Sequence, residues 1–125
     1  MPRYNPTIME HFQNPRNVGD IPNADGVGLE QNPVCGDVTQ IFLRIQDGAI
    51  ADIRFKTQGC AAAIATSSIC TEHVKGMGLE EARDVSAQQV SEWAGGLPNA
   101  KVHCSVLSAD ALRKAIDDYE ARRSR

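Results

Sequence analysis

Residues 38–60 read Val38-Thr39-Gln40-Ile41-Phe42-Leu43-Arg44-Ile45-Gln46-Asp47-Gly48-Ala49-Ile50-Ala51-Asp52-Ile53-Arg54-Phe55-Lys56-Thr57-Gln58-Gly59-Cys60. Ile41, Leu43 and Ile45 alternate with Phe42, Arg44 and Gln46, the period of a half-buried strand. Asp47-Gly48 is a two-residue hairpin signal, because the favoured turn needs positive φ at its centre. The return strand alternates Ile50, Asp52, Arg54 and Lys56 with Ala51, Ile53, Phe55 and Thr57. Ile53 and Phe55 then share an inner face while charges occupy the other, as expected of an antiparallel pair with one wet side.

Beyond Gly59-Cys60 the period becomes helical. Ala61 to Val74 places Ala63, Ser67, Cys70 and Val74 on one small-residue face, and Gly76 ends the run. Leu79 to Arg83 forms a short helix. Ser86-Ala87-Gln88-Gln89 has the form of a capping box and opens a helix through Trp93, closed by Gly95-Gly96. Leu97-Pro98-Asn99 is a loop. The last helix runs from about Cys104 to Ala121, with Leu112, Ala115, Ile116 and Tyr119 on one face.

Upstream, Thr7 to Phe12 is a short helix opened by Pro6 and closed before the turn Asn14-Pro15-Arg16-Asn17. The Gly19–Gly28 stretch is loop, leading into a short strand at Val27 to Glu30. Strands first and helices later predict an α+β domain, a small antiparallel β-sheet of about three strands with helices packed on one face. Residues 1–125 form a single domain in this reading.

Composition narrows the functional classes. Hydrophobic residues make up 42% of the 125 and charged residues 23%, which fits an ordinary soluble globular protein. A net charge of −3 argues against a general nucleic-acid binder, and the tail Arg122-Arg123-Ser124-Arg125 reads as a solvated helix end. No run approaches the roughly 20 apolar residues that span a bilayer, and the start lacks a signal-peptide pattern. We therefore expect a cytoplasmic protein with neither a membrane nor a nucleic acid as partner. In a reducing compartment four cysteines point to metal or catalytic duty rather than to two disulfides.

Three of those cysteines lie far apart in the chain, each in a small-residue turn: Asn32-Pro33-Val34-Cys35-Gly36-Asp37, Gln58-Gly59-Cys60-Ala61-Ala62-Ala63 and Lys101-Val102-His103-Cys104-Ser105. Each falls at the end of an element rather than in an apolar stripe. Thiolates spaced like this meet only in the folded protein, where they bind a soft metal or handle sulfur. Cys60 and Cys104 open helices, whose N-terminal dipoles favour thiolate, and Lys101 adds positive charge close by. Asp37 and His103 stand beside two of the cysteines as further ligand types. Gly36 and Gly59 allow close approach of a bulky group. Cys70 falls inside its helix and reads as a core thiol; His11 and His73 read as solvated helix residues.

The ligand set has no C-x-x-C pair of the kind that anchors structural zinc. Three thiolates plus a carboxylate or imidazole make a site that closes only as loops come together. Asp37, a harder oxygen ligand, should hold an iron–sulfur cluster less firmly than a fourth thiolate would.

Together, Asn32-Pro33-Val34-Cys35-Gly36-Asp37, the run from Gly59 to Ser68 and His103-Cys104-Ser105-Val106-Leu107 closely resemble the IscU/NifU-type iron–sulfur cluster assembly scaffolds. Tyr4 and the stretch from His11 to Gly19 resemble that family too. The resemblance implies the IscU/NifU N-terminal-like (SufE/NifU) fold. It also implies a scaffold on which a cysteine desulfurase deposits sulfur as persulfide and iron joins it to form a [2Fe–2S] cluster, later passed to apo acceptor proteins. By motif match Cys35, Cys60 and Cys104 are the ligands and Asp37 is the exchangeable group that controls lability. His103 is an alternative fourth ligand, and Cys104 the persulfide acceptor. Zinc at this site in the cluster-free form is implied as well.

The chaperone-recognition loop of the bacterial type reads Leu-Pro-Pro-Val-Lys, whereas here it is Leu97-Pro98-Asn99-Ala100-Lys101. That departure argues against dependence on a dedicated chaperone pair. Two alternatives stand beside the scaffold: a zinc-dependent persulfide relay that stimulates a cysteine desulfurase, and a purely structural zinc module. The scaffold reading makes the protein an assembly carrier rather than a turnover catalyst, and leaves monomer and homodimer open.

Overall fold

The computed structural model describes residues 4–33 and 36–123. The elements run α1 (Pro6–Gln13), β1 (Gly26–Gln31), β2 (Val38–Gln46), β3 (Ala49–Gln58), α2 (Ala61–Val74), α3 (Leu79–Arg83), α4 (Ala87–Trp93), a 3-10 turn (Asn99–Lys101) and α5 (Val102–Arg123). The strands form one antiparallel sheet in the order β1-β2-β3. Helix α5 packs across β1 and β2, and α2 lies against β3. This is the α+β arrangement expected from the sequence.

Local chemistry explains most boundaries. Asn5 accepts a hydrogen bond from the Ile8 N–H and Pro6 fills the first helical position, so α1 starts one residue earlier than Thr7. The Ser86 hydroxyl accepts from the Gln89 N–H and opens α4. Asp47 and Gly48 both take positive φ, as the hairpin turn requires.

Two expectations need correction. Strict alternation puts Ile50 on the charged face of β3, yet Ile50 is fully buried. The register runs Leu43↔Ile53 and Arg44↔Asp52, then Ile45↔Ile50, which leaves Ala51 as the extra residue of a bulge and reverses the phase. Helix α2 does not bury a single face either: it is enclosed by α1, α4, α5 and β3, and ten of its 14 residues are buried. A helix rich in alanine, serine and threonine lets four elements approach it at once.

The inner face of the sheet packs Ile41, Leu43, Ile53 and Phe55 against Leu112, Ala115 and Ile116 of α5, with Val74 and Val90 completing the cluster. Each large side chain so buried stabilises the fold by about 1.5–3 kcal/mol. Contact between α5 and β1 is closer than side chains would permit. A Cβ on Gly28 would lie 2.3 Å from the Ala111 carbonyl oxygen and the Ala115 nitrogen, and one on Gly26 would lie 2.3 Å from the Ala115 oxygen. Glycine at these two positions lets the helix rest directly on strand backbone. Among the described residues, no helix is long and apolar enough to cross a membrane.

Candidate metal and sulfur site

Three junctions meet at one end of the sheet: the entry to β2, the link from β3 to α2, and the first turn of α5. Asp37 immediately precedes β2, in a loop where Gly36 takes φ +79° and the Asn32 N–H donates to the Asp37 carbonyl. Cys60 is the N-cap of α2, with extended backbone and no capping bond from its side chain. His103 and Cys104 are the second and third residues of α5.

The four side chains close a ring. Cys60 Sγ lies 3.7 Å from Asp37 Oδ2 and 3.9 Å from Cys104 Sγ. Cys104 Sγ is 3.6 Å from His103 Nε2, which is 3.8 Å from Asp37 Oδ2. Asp37, His103 and Cys104 offer ligand atoms that all fall within 4.8 Å of one another. Ligands bound tetrahedrally at zinc-type distances stand about 3.3–3.8 Å apart. The ring edges are close to that range; Asp37, His103 and Cys104 form the compact trio, and Cys60 borders it through Asp37 and Cys104.

Burial differs around it. Asp37 and Cys104 are buried, while Cys60 and His103 are half-buried. Asp37 lies against the backbone of Gly59, where an added Cβ would come within 2.7 Å of its Cγ and Oδ1. Gly59 is thus needed for the space it leaves to the carboxylate. The expectation that the helix start holds Cys104 as thiolate is corrected: burial pushes its thiol well above the ordinary range, Cys60 pushes it further, and Lys101 opposes only weakly. Cys104 lies inside the turn, where desolvation outweighs the dipole. Cys60 is the leading cause that raises the Lys101 ammonium above its usual value.

Cys35, the third expected ligand, lies outside the described residues. Cys70 is fully buried in the core and its thiol is pushed up to about 12 by desolvation, so the core-thiol expectation is met. His11 is not solvated. It is buried, with Nδ1 2.8 Å from the Ser68 hydroxyl and Nε2 3.5 Å from Glu72, and pins α1 to α2. His73 is exposed and stacks on Trp93 with ring centroids 4.3 Å apart.

Sequence reasoning missed the layer beneath the ring. Thr39, Thr66, Ser67 and Ser108 are fully buried there and joined by hydrogen bonds. The one available signal was Thr66-Ser67-Ser68, three hydroxyl residues in a row inside an otherwise apolar small-residue helix.

Fold and ring together define a small α+β domain that presents thiols, a carboxylate and an imidazole to a common centre. The NifU-like N terminal domain model matches residues 3–125, and the chain belongs to that family. It is 57% identical over 116 residues to iron-sulfur cluster assembly scaffold protein IscU 1 of Archaeoglobus fulgidus, covering 93% of this chain and 76% of that one. Against the IscU scaffold protein of Escherichia coli K12 the identity is 44% over 124 residues, covering 96% of each chain. The crystal structure of a NifU-like N-terminal protein from Brucella abortus superposes with a TM-score of 0.78 at 22% identity, covering 94% of both chains. The fold that the sequence resemblance implied is the fold observed.

Proposed function

We propose that this protein is an iron–sulfur cluster assembly scaffold: it holds a [2Fe–2S] cluster while it is built from iron and desulfurase-derived sulfur, then yields it to apo acceptor proteins. The observation that carries this reading is the closed ring of Asp37, Cys60, Cys104 and His103, with edges of 3.6–3.9 Å. Family membership and the scaffold role named for the relatives support it.

The donor set suits a cargo that is to be released. Two thiols bind soft iron or zinc firmly, whereas the Asp37 carboxylate is a harder and more replaceable partner. As it stands the Asp37–His103–Cys104 trio can hold one ion and a small shift of Cys60 would complete its shell, so zinc is the expected guest of the cluster-free protein. A two-iron cluster spans more than one ion, and admitting it requires at least one corner to move. Asp37, on the loop before β2 and the harder ligand of the set, is the corner proposed to move. Cys60, half-buried, meets an incoming sulfur donor first; Cys104 serves as persulfide acceptor once that corner opens. Carrying rather than turning over substrate, in the cytoplasm, completes the reading.

Anaerobic reconstitution with a cysteine desulfurase, cysteine and ferrous iron tests it. The expected product shows the visible absorption of a [2Fe–2S] centre and loses it in Cys35→Ser, Cys60→Ser and Cys104→Ser. A colourless protein that keeps zinc and only accelerates the desulfurase would replace the scaffold with a sulfur relay. In Asp37→Ala the assembled cluster should outlast the wild-type one and transfer more slowly; unchanged transfer kinetics would remove Asp37 from the release step.

A further inference from the structure

Beneath the ring, hydrogen bonds between hydroxyls join the elements that carry its members. Thr39 of β2, two residues after Asp37, lies 3.0 Å from the hydroxyl of Thr57 of β3, three residues before Cys60. Thr57 lies 2.8 Å from the hydroxyl of Ser67 on α2, and Ser67 donates to the Ala63 carbonyl at 2.9 Å. Across the next interface, Ser108 of α5 donates to the carbonyl of Cys104 at 3.2 Å, while the Thr66 hydroxyl of α2 lies 3.2 Å from the Ala63 carbonyl, 3.4 Å from the Cys104 carbonyl and 3.4 Å from Ser108.

Each hydroxyl has a single proton to give. With the Ser67 proton on Ala63, Thr57 can donate to Ser67 and Thr39 to Thr57. Thr39 also lies 3.3 Å from Ser67, so the three hydroxyls close a triangle in which Thr57 is the nearer donor to Ser67. Among the described residues, the apolar cluster at this end has Ala62, Ala63 and Cys104 as its buried members, with Tyr4, Cys60 and Leu97 packed partly buried at its edge. Such small side chains have little surface with which to fix an angle between elements, whereas hydrogen bonds are directional and short.

We propose that the hydroxyls of Thr39, Thr57 and Ser67, with Ser108 on the Cys104 carbonyl and Thr66 beside it, are the positioning frame that sets the spacing of Asp37, Cys60 and Cys104. The frame touches no guest itself. It acts through the backbone, holding three junctions at the separation seen in the ring, and its use in cluster assembly rests on the function proposed above. Satisfied buried hydroxyls contribute little net stability relative to apolar groups of the same shape. Their value here is in geometry.

The test compares Thr57→Val, which keeps the shape, with Thr57→Ser, which keeps the hydroxyl, and adds Ser67→Ala. Thr71→Val serves as control: Thr71 is a buried hydroxyl on the same helix, bonded to the Ser68 carbonyl and to Asn17. Two readouts are taken in the full chain, affinity for Co(II) through its thiolate charge-transfer band and, in a Cys35→Ser background, the rate at which diamide oxidises Cys60 and Cys104 to a disulfide. Outer-shell losses typically weaken metal binding about 10–100-fold, and we expect that loss in Thr57→Val and Ser67→Ala. Disulfide formation should slow several-fold in both, with both readouts restored in Thr57→Ser and unchanged in Thr71→Val.

Wild-type affinity and disulfide rate in Thr57→Val, or equal losses in Thr71→Val, would overturn the frame. Should Ser67→Ala fail to fold, the two Thr57 variants decide alone. A wild-type protein without a thiolate–Co(II) band would instead sink the metal reading, while the disulfide rates would still decide the positioning role.

Discussion

The two ends of the sheet are built by different rules. Under its middle and far end, Ile41, Leu43, Ile53 and Phe55 interlock with Leu112 and Ile116, all at most 1% exposed. At the near end the described residues that are buried are mostly alanine, serine, threonine and cysteine together with Asp37, held by hydrogen bonds between elements. The first region resembles any domain interior, where apolar area supplies the stability. The second gives up that area for atoms that can be placed and for thiols that can be reached. Stability and chemistry are thereby separated within one small domain, so each can be perturbed with little effect on the other.

The strongest way to break the comparison is at the large-residue end. Phe55→Ala should destabilise the fold by about 3–5 kcal/mol, as truncation of a buried aromatic does. In the fraction that stays folded, Co(II) affinity should remain within a few-fold of wild type. Denaturant unfolding together with a metal titration checks both halves; a collapse of affinity in folded protein would deny that the regions are separable.

The reciprocal change comes next. Cys60→Ser should weaken Co(II) binding by at least about 100-fold, since a thiolate ligand is lost, while the metal-free unfolding midpoint shifts little. Loss of the folded state in that variant, or on chelation of the wild type, would make the site a structural zinc module in which binding energy is folding energy.

A smaller effect is expected at Gly59→Ala, where the new methyl meets Asp37 at 2.7 Å. The carboxylate must swing away from Cys60 and His103. Co(II) affinity should fall about tenfold, the scale typical of a displaced supporting group, with the sulfur charge-transfer band retained. Full affinity would show that Asp37 is not held by this contact.

The smallest effect concerns pH. Burial, the leading cause, and Arg16 hold His11 below its usual pKa, while Glu72 and Glu10 oppose them. The folded state therefore binds fewer protons there than the unfolded chain. This contribution is present above the unfolded pKa of about 6.5 and is lost as pH falls through that value toward the lower folded one. His11→Gln should flatten the decline in unfolding midpoint between about pH 7 and pH 5 relative to wild type. An identical slope would place the titrating group elsewhere.

How much of this was legible in the sequence follows the same division. Strands β2 and β3 and helix α2 were readable almost to the residue, because Asp47-Gly48, Gly59 and Gly76 punctuate strong periodic runs. Ile50 was misplaced because a bulge is one unpaired residue and leaves no periodic trace. The convergence of Cys60, Cys104, Asp37 and His103 was foreseeable from residue type at element ends. The buried state of Cys104 and His11 was not, because burial depends on what three other elements cover. The Thr39–Thr57–Ser67 group was hidden for the same reason, since its members lie 10 to 28 residues apart.

X-ray absorption of the zinc-loaded Cys35→Ser protein tests the central claim most directly, because sulfur at the metal can then come only from the pair seen here. The account predicts two sulfur neighbours at about 2.3 Å and two nitrogen or oxygen neighbours at about 2.0–2.1 Å, with one sulfur lost in Cys104→Ser. A shell of nitrogen and oxygen alone, or one indifferent to Cys60 and Cys104, would contradict it.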